Sequence, residues 1–160
     1  MELVAFLEVQ QHILLLGMGV LFLWAVGNIS ISAYSLFRKP VPTEKRLAFY
    51  QMNLAWGLVN SMIVVWGITH PPFDGVLASI PDLLKEIQGI KRIFLVNVGL
   101  DMLYVMVGYF LFRRNSGKRP LRTKGFGQSI LLQGGFLFLF DLILWTVFHQ
   151  QELVLYHLAV

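Results

Sequence analysis

From Ile93 to Phe112 the chain reads IFLVNVGLDMLYVMVGYFLF, twenty residues with a single formal charge, Asp101, near the middle. As a helix rising about 1.5 Å per residue, this segment is about 30 Å long, the thickness of a bilayer's hydrocarbon core. Three further blocks are as apolar: about Ile13 to Phe37, about Leu47 to Ile68 and about Phe126 to Phe148. Each is long enough to cross a bilayer, and their apolar residues come in continuous runs, not at amphipathic spacing. Composition agrees. Of the 160 residues 56% are hydrophobic and 14% charged, against about 25% charged in a soluble domain. The expected fold is all-α: one four-helix transmembrane bundle covering residues 1–160, with the lipid bilayer as its main partner.

The connections set the threading. Arg38, Lys39, Lys45 and Arg46 lie between spans one and two, and Arg113, Arg114, Lys118, Arg119, Arg122 and Lys124 lie between spans three and four. These connections share a side and hold ten of the thirteen basic residues. The positive-inside rule places them in the cytoplasm, with both termini outside. The net charge of +4 is explained by these flanking residues, so nucleic acid is not an expected partner. Glu2 and Glu8 stand where a signal peptide would be basic, so no cleavable leader is expected. The absence of Cys removes disulfide and thiolate chemistry.

Span two stops at His70-Pro71-Pro72, where proline cannot continue a helix. Beyond it, Ser79 looks like a helix cap with Pro81 in the first turn. Ile80, Leu83, Leu84, Ile87 and Ile90 then recur at helical spacing opposite Asp82, Lys85, Glu86 and Gln88. This pattern predicts a short amphipathic helix on the outer interface, feeding span three past Gly89. At the ends, Leu3, Phe6, Leu7 and Gln10 continue the period of span one, and the tail QQELVLYHLAV either extends helix four or lies at the interface. Spans one and three both end in Leu-Phe followed by two basic residues (Arg38-Lys39, Arg113-Arg114). Two parallel hairpins about an axis normal to the membrane would fit this repeat, although the polar residues do not superpose.

Every span carries groups that lipid does not tolerate. Counting along the helices puts Asp101, Asp141 and Asn60 within about 5 Å of the midplane, and Asn28, Asn53 and Gln133 about 5–8 Å to its inner side. Asn97 lies toward the outer face. Asn53, Trp56 and Asn60 form one stripe of helix two; Asn97, Asp101, Tyr104 and Gly108 form one of helix three; Asn28, Ser32 and Ser35 repeat the pattern on helix one. Helix four has Gly127, Gly134 and Asp141 in heptad register, with Gln133 on a neighbouring flank. Gly57, Gly134 and Gly135, beside these stripes, let helices approach closely. The polar faces should therefore point at one another.

An Asp at a span centre costs about 2.5–3.5 kcal/mol to insert, against about −0.3 to −0.6 for each Leu, Ile, Phe or Val. Apolar neighbours offset one acid per span. Two acids at one level with no Lys or Arg inside the membrane predict that at least one is protonated at pH 7. Amides would join helices at lower insertion cost, so the Asn, Gln and Ser set reads as interhelical glue and the two acids as functional. The candidate site for a proton, a cation or a small polar ligand is Asp101 and Asp141 with Asn28, Asn53, Asn60, Asn97, Gln133 and Tyr104. A four-span monomer leaves little room for a pathway, so transport would call for a homodimer or a larger complex. The competing reading is an accessory subunit docking partners through its outer interfacial helix and basic loops.

His12, His70, His149 and His157 all fall near span ends on the outer side. None has the paired mid-membrane placement of haem ligands or an HExxH spacing, so no metal or cofactor is expected. The four Trp read as packing or belt residues. Without Ser-His-Asp logic, a phosphate loop or a dinucleotide fingerprint, a non-enzymatic role is expected.

The segments AWGLVN in span two, LVNVGLDMLYVMVG in span three and GFGQSILLQGGFLFLFD in span four resemble small four-span bacterial membrane proteins grouped as domains of unknown function. The resemblance covers most of the chain and implies a bacterial inner-membrane location without an activity. The first-span acid of small multidrug exporters has no counterpart here.

Overall fold

The computed structural model describes residues 2–39, 42–72, 79–114 and 120–158. These form four helices: α1 (Glu2–Phe37), α2 (Glu44–Thr69), α3 (Ile80–Arg113) and α4 (Pro120–Leu158). Each is long and apolar enough to cross a membrane. The helices pack as two hairpins, α1 on α2 and α3 on α4, joined where α2 lies against α4. Backbones approach closely at small residues. A Cβ on Gly57 would sit 2.7 Å from Ile29 Cγ1 and 3.0 Å from Ala25 O, and one on Gly108 would sit 2.8 Å from Leu131 N. Gly135, expected to act likewise, has no atom of another helix within 4 Å of where its Cβ would be.

The helix ends lie within about one to two turns of one another at the basic loops and are far more unequal at the other end. With 26 residues α2 is about 39 Å long, whereas α1, α3 and α4, with 36, 34 and 39 residues, reach about 51–58 Å. Gly67, near the end of α2, packs on Met18 of α1, so α1 runs about fourteen residues, about 21 Å, past the end of α2 at Thr69. The other helices are therefore longer than the apolar blocks that mark their crossings. The three overhanging segments bury a core of their own, in which Phe6, Leu83, Ile87, Phe148 and Leu155 are at most 7% exposed.

This core corrects the expectation of a separate interfacial helix. Ser79 does cap a helix there, its Oγ accepting from Asp82 N at 3.4 Å, and Pro81 sits in the first turn. That helix passes through Gly89 without a break and is α3 itself. The face of Leu83, Ile87 and Ile90 turns onto α1 and α4, whose apolar side chains cover it. Covering by the chain's own helices removes the reason for such a face to lie in lipid headgroups. Lys91 and Glu152 form an ion pair that ties α3 to α4 on the flank of this core, and Gln88 Nε2 donates to Glu152 Oε1 at 3.1 Å. Gln10 Nε2 donates to Gln151 Oε1 at 2.8 Å, joining α1 to α4.

Candidate functional site

Two polar layers lie inside the bundle, and they differ in how completely their hydrogen bonds are made. The layer nearer the basic loops centres on Gln133 of α4, which is fully enclosed. Its Oε1 accepts from Trp24 Nε1 at 2.8 Å. Its Nε2 donates to Asn28 Oδ1 at 2.8 Å and to Asn53 Oδ1 at 2.7 Å. Ser129 Oγ adds a second donor to Asn53 Oδ1 at 3.0 Å, and Asn28 Nδ2 returns to Trp24 O at 2.7 Å. Both N–H groups of Gln133 are thus engaged, and its carbonyl is occupied. One residue joins α1, α2 and α4. Phe136 stacks on Trp24 with ring centroids 3.9 Å apart, a further contact between α4 and α1 at this layer.

The second layer lies about two turns toward the terminal end, as Asn60 follows Asn53 by seven residues and Asp141 follows Gln133 by eight. The carboxyls of Asp101 of α3 and Asp141 of α4, 3% and 6% exposed, come within interacting range of each other, and a hydrogen bond between them would take one shared proton. No amide or hydroxyl among the described residues donates to Asp101 Oδ2. Asn60 of α2 is fully buried, and neither Oδ1 nor Nδ2 has a partner there. Its height follows from its neighbours. Trp56 packs edge-on against Tyr104, with centroids 5.4 Å apart, and Asn60 and Asp101 each lie about one turn beyond those rings on the same side. A buried polar atom without a partner costs about 1–3 kcal/mol. The acid layer therefore keeps unused donors and acceptors while the amide layer has closed its own.

Of the eight candidates, Asn28, Asn53 and Gln133 come together in the amide layer, and Asp101 and Asp141 pair in the acid layer. Asn60 is buried beside the acids in height. Asn97 is half-buried and Tyr104 is 38% exposed, and both stand outside the hydrogen-bonded groups. Trp24, expected only as a packing or belt residue, and Ser129, to which the sequence assigned no role in the site, also belong to the amide layer. Each lies four residues before a member of its own helix (Asn28, Gln133), a spacing that puts them on the same face. The histidines are engaged separately: His12 with Glu8 O, His70 with Thr69 and Trp66, His149 with Lys91, and His157 with Leu153 O.

No curated protein and no solved structure matches the chain. A family match runs from one turn before Trp24 to just past Asp141, taking in both polar layers and leaving out the outermost turns of α1 and α4. With residues 20–142 matched, the chain belongs to DUF6992, a family of unknown function.

Proposed function

We propose that this is a multi-pass protein of the bacterial inner membrane, with its basic loops in the cytoplasm and both termini outside, in which Asp101 and Asp141 bind a proton or small cation. The observation that carries the reading is the contact between the two carboxyls, held by separate helices and buried with no Lys or Arg in either apolar crossing. A pair sharing one proton is a net monoanion; a small monovalent cation exchanging for that proton leaves the charge unchanged, and one binding beside the proton makes the pair neutral. The unpartnered amide of Asn60 supplies an oxygen ligand for a cation, or a donor for the ionised acid. The role is non-enzymatic, and a dimer would supply a pathway that four helices cannot enclose. The competing partner-docking reading has less support, because the apolar face it relied on is covered by α1 and α4.

Infrared difference spectroscopy on the protein in lipid tests this. A carboxylic-acid band should change on titration with acid or with Na⁺, and it should be lost in both Asp101→Asn and Asp141→Asn. Carboxyl bands insensitive to pH and cations in the folded wild type would sink the proposal.

A further inference from the structure

Because α2 stops at Thr69 while α1 and α3 continue, the place a fourth helix would fill is a cleft of about 510 Å3. That volume falls within the range of about 300–1,000 Å3 usual for ligand pockets. Its deeper walls are apolar, from Leu14, Leu15 and Met18 on α1 and Ile90, Ile93 and Phe94 on α3. Gln11, His70 and Glu86 line it as well, and Gln11 and Glu86 lie toward the terminal end. From Gln11 to Met18, and from Glu86 to Phe94, the cleft descends about 10–12 Å. Polarity thus falls along the bundle axis in the direction in which it falls along a lipid of the adjoining leaflet. Glu86 lies seven residues, about 10 Å, beyond the start of the apolar crossing at Ile93, which is headgroup depth. It is the one formally charged residue among those lining the cleft, and among the described residues it makes no ion pair.

We infer that this cleft is a lipid site, which takes an acyl chain of a phospholipid whose headgroup bears a primary ammonium, with the ammonium on Glu86. An anionic headgroup is disfavoured there by the carboxylate, and a water-soluble ligand by the apolar walls. The site rests on the membrane reading but is independent of the carboxyl pair, so either proposal can fail without the other.

Gly89 gives a direct test. It lines the cleft, and a Cβ there would meet nothing within 4 Å, so a side chain can start from this position into the cleft. The protein is reconstituted in vesicles of equal phosphatidylethanolamine and phosphatidylglycerol, extracted in mild detergent and weighed intact by native mass spectrometry. The wild type and Gly89→Ala should each retain one phosphatidylethanolamine per chain. Gly89→Phe should lower retention at least fivefold, and Glu86→Gln should retain both lipids equally. Leu15→Trp repeats the blocking test from the α1 wall should Gly89→Phe fail to fold. Retention of the two lipids in their bulk ratio by the wild type, preference for phosphatidylglycerol, or undiminished retention in a folded blocking variant would overturn the inference.

Discussion

Replacing Gln133 with Leu tests whether the amide layer holds the bundle together. The substitution removes the acceptor of Trp24 Nε1 and the donor shared by Asn28 and Asn53. Asn53 Oδ1 keeps Ser129 Oγ at 3.0 Å, so Trp24 and Asn28 bear the loss. Interhelical hydrogen bonds in membranes average about 0.6 kcal/mol each, with a maximum near 1.7, because the unfolded chain in lipid also finds partners. Three bonds give about 2 kcal/mol, and the ceiling is about 5. A loss of about 2 kcal/mol lowers the ratio of folded to unfolded protein about thirtyfold, since about 1.4 kcal/mol is tenfold. Reversible unfolding in mixed dodecyl sulfate and maltoside micelles, followed by helical circular dichroism, measures this loss directly. A cycle with Trp24→Phe isolates the indole bond, whose coupling should be about 0.6 kcal/mol or more. A Gln133→Leu protein within about 0.3 kcal/mol of wild type, with no coupling to Trp24, would refute the assignment of this layer to glue. Loss of the cation- or proton-linked infrared change at unaltered stability would move the layer into the binding site.

Other perturbations separate the remaining contacts in the same unfolding assay. Gly108→Ala, whose Cβ would lie 2.8 Å from Leu131 N and 3.0 Å from Gly127 O, should destabilise by about 1–3 kcal/mol through overpacking. Gly27→Ala, with no atom of another helix within 4 Å, should be neutral or add up to about 1 kcal/mol of helix stability; the reverse order would contradict the α3–α4 packing. Lys91→Met takes the lysine from the Glu152 carboxylate, 9% exposed at its side chain, but leaves it Gln88 and, 3.6 Å away, His149, so the cost should be about 2 kcal/mol, below the roughly 3–5 kcal/mol of a fully uncompensated buried charge. Adding Glu152→Leu should recover at least half of that loss, and no recovery would show that the pair contributes attraction and not merely compensation.

The four helices, each long and apolar enough to cross a membrane, were legible because apolar runs of bilayer length admit few other folds. Their full lengths were not, because a hydropathy reading sees the part of a helix in contact with lipid and stops where polar residues return. Glu8, Gln10, Gln151 and Glu152 look like the end of a membrane segment, although Gln10 and Glu152 are buried between helices that continue past them. The two polar levels were also legible from residue counting. Which residues of each level bond to which was not, because depth follows from the rise per residue whereas partnership depends on helix rotation and on side-chain length.

Rotation also explains why Asn97 and Tyr104 stand apart from Asp101, although all three share a stripe when the crossing from Ile93 to Phe112 is considered alone. The buried positions of α3 are Leu83, Ile87, Ile90, Phe94, Asp101 and Gly108, and they run through Gly89 without a change of phase. At about 100° per residue their mean direction passes within about 5° of Asp101. Asn97 lies about 45° from it and Tyr104 about 65°, in the direction a straight helix drifts from a seven-residue repeat. Judged from the crossing alone, the stripe centres between Asn97 and Asp101; once Leu83 and Ile87 anchor the helix above, it turns onto Asp101. Asn97→Ala and Tyr104→Phe should therefore leave the carboxyl band and its pH and cation response as in wild type, while Asp101→Asn abolishes them. Loss of the response in Asn97→Ala would mean that α3 is rotated about 40° from this orientation when the site is occupied, bringing the amide in beside the acids.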